Sequence, residues 1–281
     1  MARRFSAPYQ SEPVSSLATW ARNLALFALI AVVVSILIVR FGFLEMKPAL
    51  ATFFGALALA GLSILVGLAA FAAIWQNGSR GMGRILLALL IDAAILAYPA
   101  YLGLQYRKLP PIYDISTDTI DPPRFQALAP LRAGEGTNPA IYAGLYSAER
   151  QRVAYPDIET VELEVPAQRA YEITLALVNK RKWRVVDERP PQPRREGHIE
   201  AIAQTLIMGF REDVSIRIKP DGEGSRVDIR SSSRYFESDL GSNAARVTKL
   251  MEDINNAVDN AKPVVKKPQA PPKAPAKNGK K

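Results

Sequence analysis

The sequence predicts three transmembrane α-helices followed by an α+β domain with an antiparallel sheet of about five strands, and then a disordered C-terminal tail. Residues 1–106 carry 10 charged side chains, whereas residues 107–281 carry the other 53. Alternating apolar and polar residues, typical of strands with one wet face, begin only after residue 160. The predicted divisions are an N-terminal segment (1–22), a three-span region (23–106), a connector (107–159), a soluble domain (160–261) and a tail (262–281).

Three apolar runs predict the three spans. Residues 23–39 are 17 residues without charge, residues 48–79 are 32 without charge, and residues 85–106 are 22 with one charge. A span needs about 20 apolar residues. Three buried helices of a soluble bundle are disfavoured, because the first two runs lack a polar stripe. We interpret the first run as a retained signal anchor, since no clear cleavage site follows it.

The basic residues of the loops predict the orientation. The N-terminal segment and the second loop carry five, and the opposite side carries four. Because cytoplasmic loops are enriched in Lys and Arg, this favours a cytoplasmic N-terminus and a periplasmic soluble domain on a bacterial inner membrane. The five are Arg3, Arg4, Arg22, Arg80 and Arg84, and the four are Arg40, Lys47, Arg107 and Lys108.

Asp92 is the ionisable residue deep within a predicted span. Such a residue is costly in hydrocarbon and usually faces protein or water. One interpretation is a proton or ion relay. The other is a protonated or hydrogen-bonded carboxyl that meets Ser35, Ser63 or Arg84, or that extends toward the interface.

Repeated prolines mark the connector, residues 107–159. Proline and the residue before it disfavour regular helix. We therefore expect a short helix around residues 124–131 and an otherwise extended chain that lies over a folded surface. So long a connection is usually functional or partly mobile.

The soluble domain shows the element order β-α-β-β-β-β-α. Strands joined by short turns predict an antiparallel sheet, and the two amphipathic helices should cover one of its faces. The predicted strands are 161–165, 183–187, 198–207, 211–219 and 226–234, and the predicted helices are 166–180 and 242–260.

A row of arginines is predicted on the face of the last two strands that is turned away from the core. This face carries six positive and two negative side chains. One interpretation is a cationic platform for an anionic head group, phosphate or carboxylate, since guanidinium groups suit two-point contacts. The alternative is a solvated face with cross-strand ion pairs such as Arg217–Asp228. The candidate binding residues are Arg211, Arg217, Arg230 and Arg234.

Residue types limit the possible chemistry. The chain has no cysteine and one histidine, His198. This excludes a cysteine nucleophile and an iron–sulfur cluster, and leaves too few ligands for a multi-histidine zinc site. We expect no metal and no cofactor, and the catalytic residues, if any, stay unknown. His198 close to Glu200 suits a general base, but a surface histidine is the alternative. Other candidate residues are Asp213, Asp228, Asp239, Asn243 and Ser233.

Several motifs in combination resemble a known family. They are Tyr155-Pro156-Asp157-Ile158, Ile199-Glu200-Ala201, Gly209-Phe210-Arg211-Glu212-Asp213-Val214, and Arg230-Ser231-Ser232-Ser233-Arg234 with Asp239, Gly241, Asn243 and Arg246. Over about residues 110–260 they resemble the domain-of-unknown-function family number 1499. The N-terminal half resembles its membrane-anchored version in alphaproteobacteria. The resemblance implies domain boundaries but no activity. The element order is also similar to helix-grip domains of envelope lipoproteins, which is a likeness of fold alone.

The sequence favours a non-catalytic inner-membrane protein whose soluble domain binds an anionic envelope component or a partner protein. Membrane lipids are expected partners. Nucleic acid is not, because most of the net charge of +9 comes from seven lysines in residues 262–281. The alternatives are an enzyme acting on a lipid or cell-wall substrate and a small transporter component that uses Asp92.

Overall fold

The computed structural model of the protein describes residues 13–132, 134 and 136–261. Three long apolar helices come first: α1 (Ser16–Phe41), α2 (Met46–Asn77) and α3 (Met82–Tyr106). At 1.5 Å per residue they are about 39, 48 and 37 Å long. Each therefore exceeds the hydrocarbon core of a bilayer, about 30 Å. The prediction of three helices able to span a membrane is confirmed.

Small residues let the three helices pack closely. Ala18, Ala21, Ala25 and Ala28 form a fully buried stripe along α1, and small side chains of this kind allow close helix contact in membranes. The hydroxyl of Ser63 on α2 donates a hydrogen bond to the carbonyl of Ala21, at 3.0 Å. The bundle therefore has a tightly packed interior.

The ends of the helices place the loops on two sides. The backbone N–H of Ser15 donates to the carbonyl of Arg80, so the start of α1 lies beside the α2–α3 loop. The α1–α2 loop lies at the other end of the bundle, where α3 also ends and leads into the soluble domain.

The soluble domain contains six strands and three further α-helices among the described residues. The strands are β1 (Asp114–Ser116), β2 (Val161–Leu163), β3 (Arg184–Arg189), β4 (Gly197–Gln204), β5 (Arg211–Asp221) and β6 (Gly224–Ser233). The helices are α4 (Leu145–Ala154), α5 (Ala167–Lys180) and α6 (Ser242–Ala261), and a short 3-10 helix covers Ala129–Arg132.

All six strands form one antiparallel sheet, as the sequence predicts. The order is β1-β6-β5-β4-β3, and β2 also pairs with β6. Strands β2 to β6 correspond to the five that we predicted. Strand β1, which comes from the connector, was not predicted. Strand β6 is long enough to pair with β1 through its last residues and with β2 through its first.

Helices α5 and α6 cover one face of the sheet. Their apolar residues pack with alternate residues of β4, β5 and β6 into the main core. The core includes Ile199, Val214, Ile216, Ile218, Val227, Ile229, Val247, Leu250 and Ile254, all buried. The opposite face of the sheet carries the polar residues described next.

The connector helix that we expected around residues 124–131 is wrong: only the 3-10 turn Ala129–Arg132 overlaps that range, and the α-helix of the connector, α4, comes later, at Leu145–Ala154. The predicted tail, residues 262–281, lies outside the described residues, and so do residues 1–12 of the predicted N-terminal segment.

Candidate functional site

The connector covers the polar face of the sheet. Phe125 and Leu128 of the connector pack against Ile202 of β4 in a small buried cluster. As a result, side chains that the sequence places on a wet face are buried. We call the charged residues between the connector and the sheet the buried charge layer.

Arg230 and Asp114 form the central ion pair of this layer. The Nε and Nη2 atoms of Arg230 donate to the two carboxylate oxygens of Asp114 at 2.9 and 2.6 Å. The guanidinium also donates to the carbonyls of Pro123 and Ala140 and lies 4.4 Å from the ring centre of Phe125. Arg230 is 2% exposed and Asp114 is fully buried. The pair joins β6 to the connector strand β1.

Asp213 lies between two arginines. Arg132 of the connector donates to Asp213 Oδ2 at 2.7 Å, and Arg234 donates to both carboxylate oxygens at 2.8–3.1 Å. Arg132 also donates to the carbonyl of Ser232 at 2.7 Å. Burial lowers the pKa of Arg132, although Asp213 opposes this shift. The side chains of Arg132, Asp213, Ser232 and Arg234 are all buried.

Arg217 pairs with three carboxylates. It donates to Asp228 on the neighbouring strand at 2.8 and 3.1 Å, and to Asp118 and Asp121 of the connector at 3.0 and 2.8 Å. The Arg217 guanidinium lowers the pKa of the Asp121 carboxyl. Arg217–Asp228 is the cross-strand pair that the sequence offered as the alternative to a platform.

His198 and Glu200 meet at the edge of the same layer. His198 Nε2 lies 2.8 Å from Glu200 Oε1. The Glu200 carboxylate also accepts backbone N–H bonds from Gln126 and Leu128, at 2.6 and 2.7 Å. Burial acts to raise the pKa of Glu200, but the bonds from His198 and the two backbone groups outweigh it and lower the pKa. Glu200 therefore holds the connector as an ionised acceptor.

Asp187 brings a second carboxylate close to this histidine. Ligand atoms of Asp187, His198 and Glu200 lie within 4.8 Å of one another, a spacing at which they could share a metal ion. Arg189 donates to Asp187 at 2.9 Å. Since Glu200 already accepts several hydrogen bonds, a metal would have to displace some of them.

The candidates Asp239, Asn243 and Ser233 join α6 to the sheet. The carboxylate of Asp239 accepts backbone N–H bonds from the first turn of α6, including that of Asn243 at 2.7 Å. Its partial burial raises its pKa. The Asn243 side chain donates to Ser233 Oγ at 2.9 Å and accepts from Ser231 Oγ at 2.7 Å. These contacts position the helix.

Asp92 lies inside the three-helix bundle and is fully buried. By distance and angle, neither carboxylate oxygen has a hydrogen-bond partner within the described part of the chain, although Ser63, whose hydroxyl donates to the carbonyl of Ala21, lies close enough to interact with it. Arg84, one partner considered from the sequence, instead donates to Thr19 at 2.6 Å. Ser35 donates to its own helix, at the carbonyl of Ala31.

Three of the four predicted binding arginines are therefore buried with carboxylate partners, and Arg211 is exposed. A binding role for the four stays a prediction. Four connector residues of this layer were not predicted from the sequence: Asp114, Asp118 and Asp121, which pair with Arg217 and Arg230, and Arg132, which pairs with Asp213. The available signal was the excess of positive charge on the predicted face, since buried charges require partners.

The family comparison matches the soluble half of the chain. The family model described as "Protein of unknown function (DUF1499)" matches residues 114–254, from β1 into α6 and half of the chain. A search of curated proteins found no match. Among solved structures, "Crystal structure of Ara h 8.0201" aligns with 36% of this chain and 95% of that chain, at 10% identity and a TM-score of 0.22. By the family match, the chain belongs to the DUF1499 family of proteins of unknown function.

Proposed function

We propose that the protein is a non-catalytic inner-membrane protein whose soluble domain binds a partner protein in the periplasm. The observation that carries this proposal is the reversed polarity of α4. Its inward side chains include Ser147 and Gln151, whereas Leu145 and Val153 are 82% and 87% exposed. A helix of a globular domain normally turns its apolar side toward the core.

Neighbouring residues extend the apolar surface of α4. Ile141 lies four residues before Leu145, in the segment that leads into α4, and is 80% exposed, and Tyr146 is also exposed. We call Ile141, Leu145, Tyr146 and Val153 the α4 face. Apolar side chains exposed together in this way are typical of protein-binding surfaces. An envelope lipid or polymer is the competing ligand class.

The absence of catalysis is supported by the state of the candidate residues. Asp213 and Asp228 are both paired with arginines, and Asp239 accepts backbone N–H groups. A general base needs a free position within reach of a substrate proton. In the described residues these three carboxylates lie in separate contacts rather than together in one pocket.

Site-specific photo-crosslinking in cells tests the α4 face. A benzophenone amino acid at Leu145 or Val153 should yield one discrete protein adduct that mass spectrometry identifies, whereas the same group at exposed Gln168 on α5 should not. Adding Ile141→Asp should reduce the adduct from Leu145. Adducts of equal yield at all three positions, or lipid adducts alone, would contradict a protein partner.

The proposed orientation follows from the bias of five basic residues against four. Fusions of alkaline phosphatase and of a fluorescent protein after Lys281 measure it directly. An active phosphatase with a dark fluorescent protein supports the periplasmic location. The reverse result places the domain at the cytoplasmic leaflet, where anionic lipids attract a lysine-rich segment.

A second candidate function is a transporter component that uses Asp92. It is favoured by one observation, the buried carboxyl without a hydrogen-bond partner in the described bundle. Asp92→Asn keeps the shape of the side chain and removes its ionisation. Loss of a proton or ion flux in vesicles, with helix content unchanged, supports this function, and an unchanged flux rejects it.

A further inference from the structure

We infer that the β4–β5 loop (residues 205–210), together with Phe236, is a lipid-contact surface that lies in the interface of the bilayer spanned by α1–α3. We call this surface the bilayer edge. It is separate from the α4 face and does not depend on the proposed protein partner. Its occupant is the phospholipid bilayer itself.

The loop is bound to the end of α1. Arg40 Nη1 donates to the carbonyls of Leu206 and Ile207, at 2.8 and 3.3 Å. Met208 is buried against Val39 of α1 and Ala49 of α2. These contacts fix the height of the loop relative to the helices.

Gly209 allows this close approach. Its φ is +69°, and a Cβ atom there would lie 2.9 Å from Arg40 Cγ and 3.2 Å from Arg40 Cα. A larger residue would push the loop away from α1. The backbone of the loop therefore contacts the end of α1 at Arg40.

The length of the uncharged run in α1 places Arg40 at the interface. The 17 residues of 23–39 rise about 25 Å along the helix, less than the hydrocarbon thickness of about 30 Å. Such a short run draws the bilayer surface toward its flanking residues. Leu206 contacts Arg40 through its carbonyl, so it lies at the same level.

Large apolar side chains are exposed at this level. Leu206 is 89% exposed, and Phe236 is 44% exposed with its ring 5.2 Å from that of Phe210. Phe41 and Phe43, at the end of α1 next to Arg40, are also exposed. The apolar surface of the helix thus continues onto the soluble domain.

Phe236 adopts an unfavourable backbone conformation. Its φ is +69°, a left-handed conformation that is an outlier for a bulky residue and costs about 1–3 kcal/mol. The turn is held by Asn138, whose side chain donates to the carbonyls of Ser233 and Phe236. Glycine would form this turn without strain. The turn thus holds the ring of Phe236 at the surface, against Phe210.

Charged side chains at the same level suit phospholipid head groups. Exposed Lys and Arg outnumber acids there, and each contributes about 1 kcal/mol of attraction to an anionic surface. Arg211, the exposed member of the predicted arginine row, is among them, with its guanidinium near Gly42. The basic residues are Arg40, Lys47, Arg107, Lys108 and Arg211, and the acids are Glu45 and Glu237.

The chain has no cysteine, so single spin labels report depth without background. Leu206→Cys and Phe236→Cys are labelled in the full protein, reconstituted in vesicles of phosphatidylcholine and phosphatidylglycerol. Collision with oxygen, which prefers the bilayer, is compared with collision with a water-soluble nickel chelate. We expect a several-fold higher oxygen-to-nickel ratio at both positions than at a control label.

A control label far from the bilayer makes the result decisive. Glu223→Cys labels the turn at the far end of β5, about 35 Å along the strand. Ratios at 206 and 236 that equal the ratio at 223 overturn the inference. Circular dichroism of each labelled protein shows whether it is folded.

Quenching of a Leu206→Trp variant by brominated lipids, in a chain without its native tryptophans, repeats the test without a label.

Discussion

The guanidinium of Arg230 on β6 and the carboxylate of Asp114 on the connector strand β1 form a two-point ion pair, 2.6 and 2.9 Å long. Both side chains are buried. Burying one such charge without the other is costly, whereas removing both is often nearly neutral. The stability of the sheet therefore depends on the connector, which supplies the partner of Arg230.

Removing one member of this pair should destabilise the domain strongly. We expect Asp114→Asn and Arg230→Met each to lower the free energy of unfolding by about 3–5 kcal/mol, and the double variant by less than the sum. The measurement is chemical unfolding of the full protein in micelles, followed by Trp183 fluorescence with Trp20 and Trp75 replaced by Phe.

The exposed pair Arg169–Glu172 supplies the control for this prediction. Its side chains are 54% and 51% exposed, and exposed pairs contribute about 0–1 kcal/mol. Glu172→Gln should therefore change the free energy of unfolding very little. Additive effects of Asp114→Asn and Arg230→Met would contradict the assigned coupling.

Glu200 should make the protein sensitive to acid. Its pKa is lowered in the folded state, below an unfolded value of about 4.3. Its contribution to stability is therefore present above about pH 4.3 and is lost as the pH falls through the lowered pKa. Glu200→Gln should be less stable at neutral pH and lose less stability in acid. The exposed Glu162→Gln variant should follow the wild-type curve, and parallel curves for Glu200→Gln and wild type would refute the assignment.

Gln151 should protect the edge of the sheet. Its side chain accepts from the N–H of Ser116 at 3.0 Å and donates to the carbonyl of Ser116 at 2.7 Å. An open edge strand invites pairing with other chains. In Gln151→Leu, two backbone groups lose their partners, at about 1–3 kcal/mol each. Hydrogen exchange of residues 114–117 should accelerate, whereas Glu149→Gln on the outer side of α4 should leave it unchanged.

Phe236→Gly and Phe236→Ala form a matched pair that measures the strain in the turn. Both remove the ring and its contact with Phe210. Only alanine keeps the penalty for a positive φ, so the glycine variant should be more stable by about 1 kcal/mol. Thermal unfolding in micelles compares them. A more stable alanine variant would mean that the turn relaxes once the ring is removed.

The elements with strong local patterns were predicted well from the sequence. The predicted helices 166–180 and 242–260 correspond to α5 and α6, and the alternation of Val214, Ile216 and Ile218 gave the inner face of β5. In these elements the buried residues recur with the period of a helix or a strand. The spacing of apolar residues in the sequence therefore predicts which side chains face the core.

The connector was harder to predict, for physical reasons. Strand β1 has three residues and is held by β6 and Gln151 rather than by its own alternation. Helix α4 turns polar side chains inward, so it shows no apolar period toward a core. The counterions that the connector supplies to the arginine row lie about 100 residues away in sequence, as in Arg230–Asp114 and Arg217–Asp118. Pairing over such distances leaves no periodic signal.

The short passage from α3 into β1 limits how far the soluble domain can extend from the bilayer. Seven residues, 107–113, connect the end of α3 to β1, and fully extended they reach at most about 25 Å. The carbonyls of Ile112 and Tyr113 are also bound by Asp239 and Ser233. Helix α4 is attached to β1 through Ser147 and Gln151, so it shares this low height. A protein that docks on α4 must therefore approach along the membrane plane or present a segment close to its own anchor.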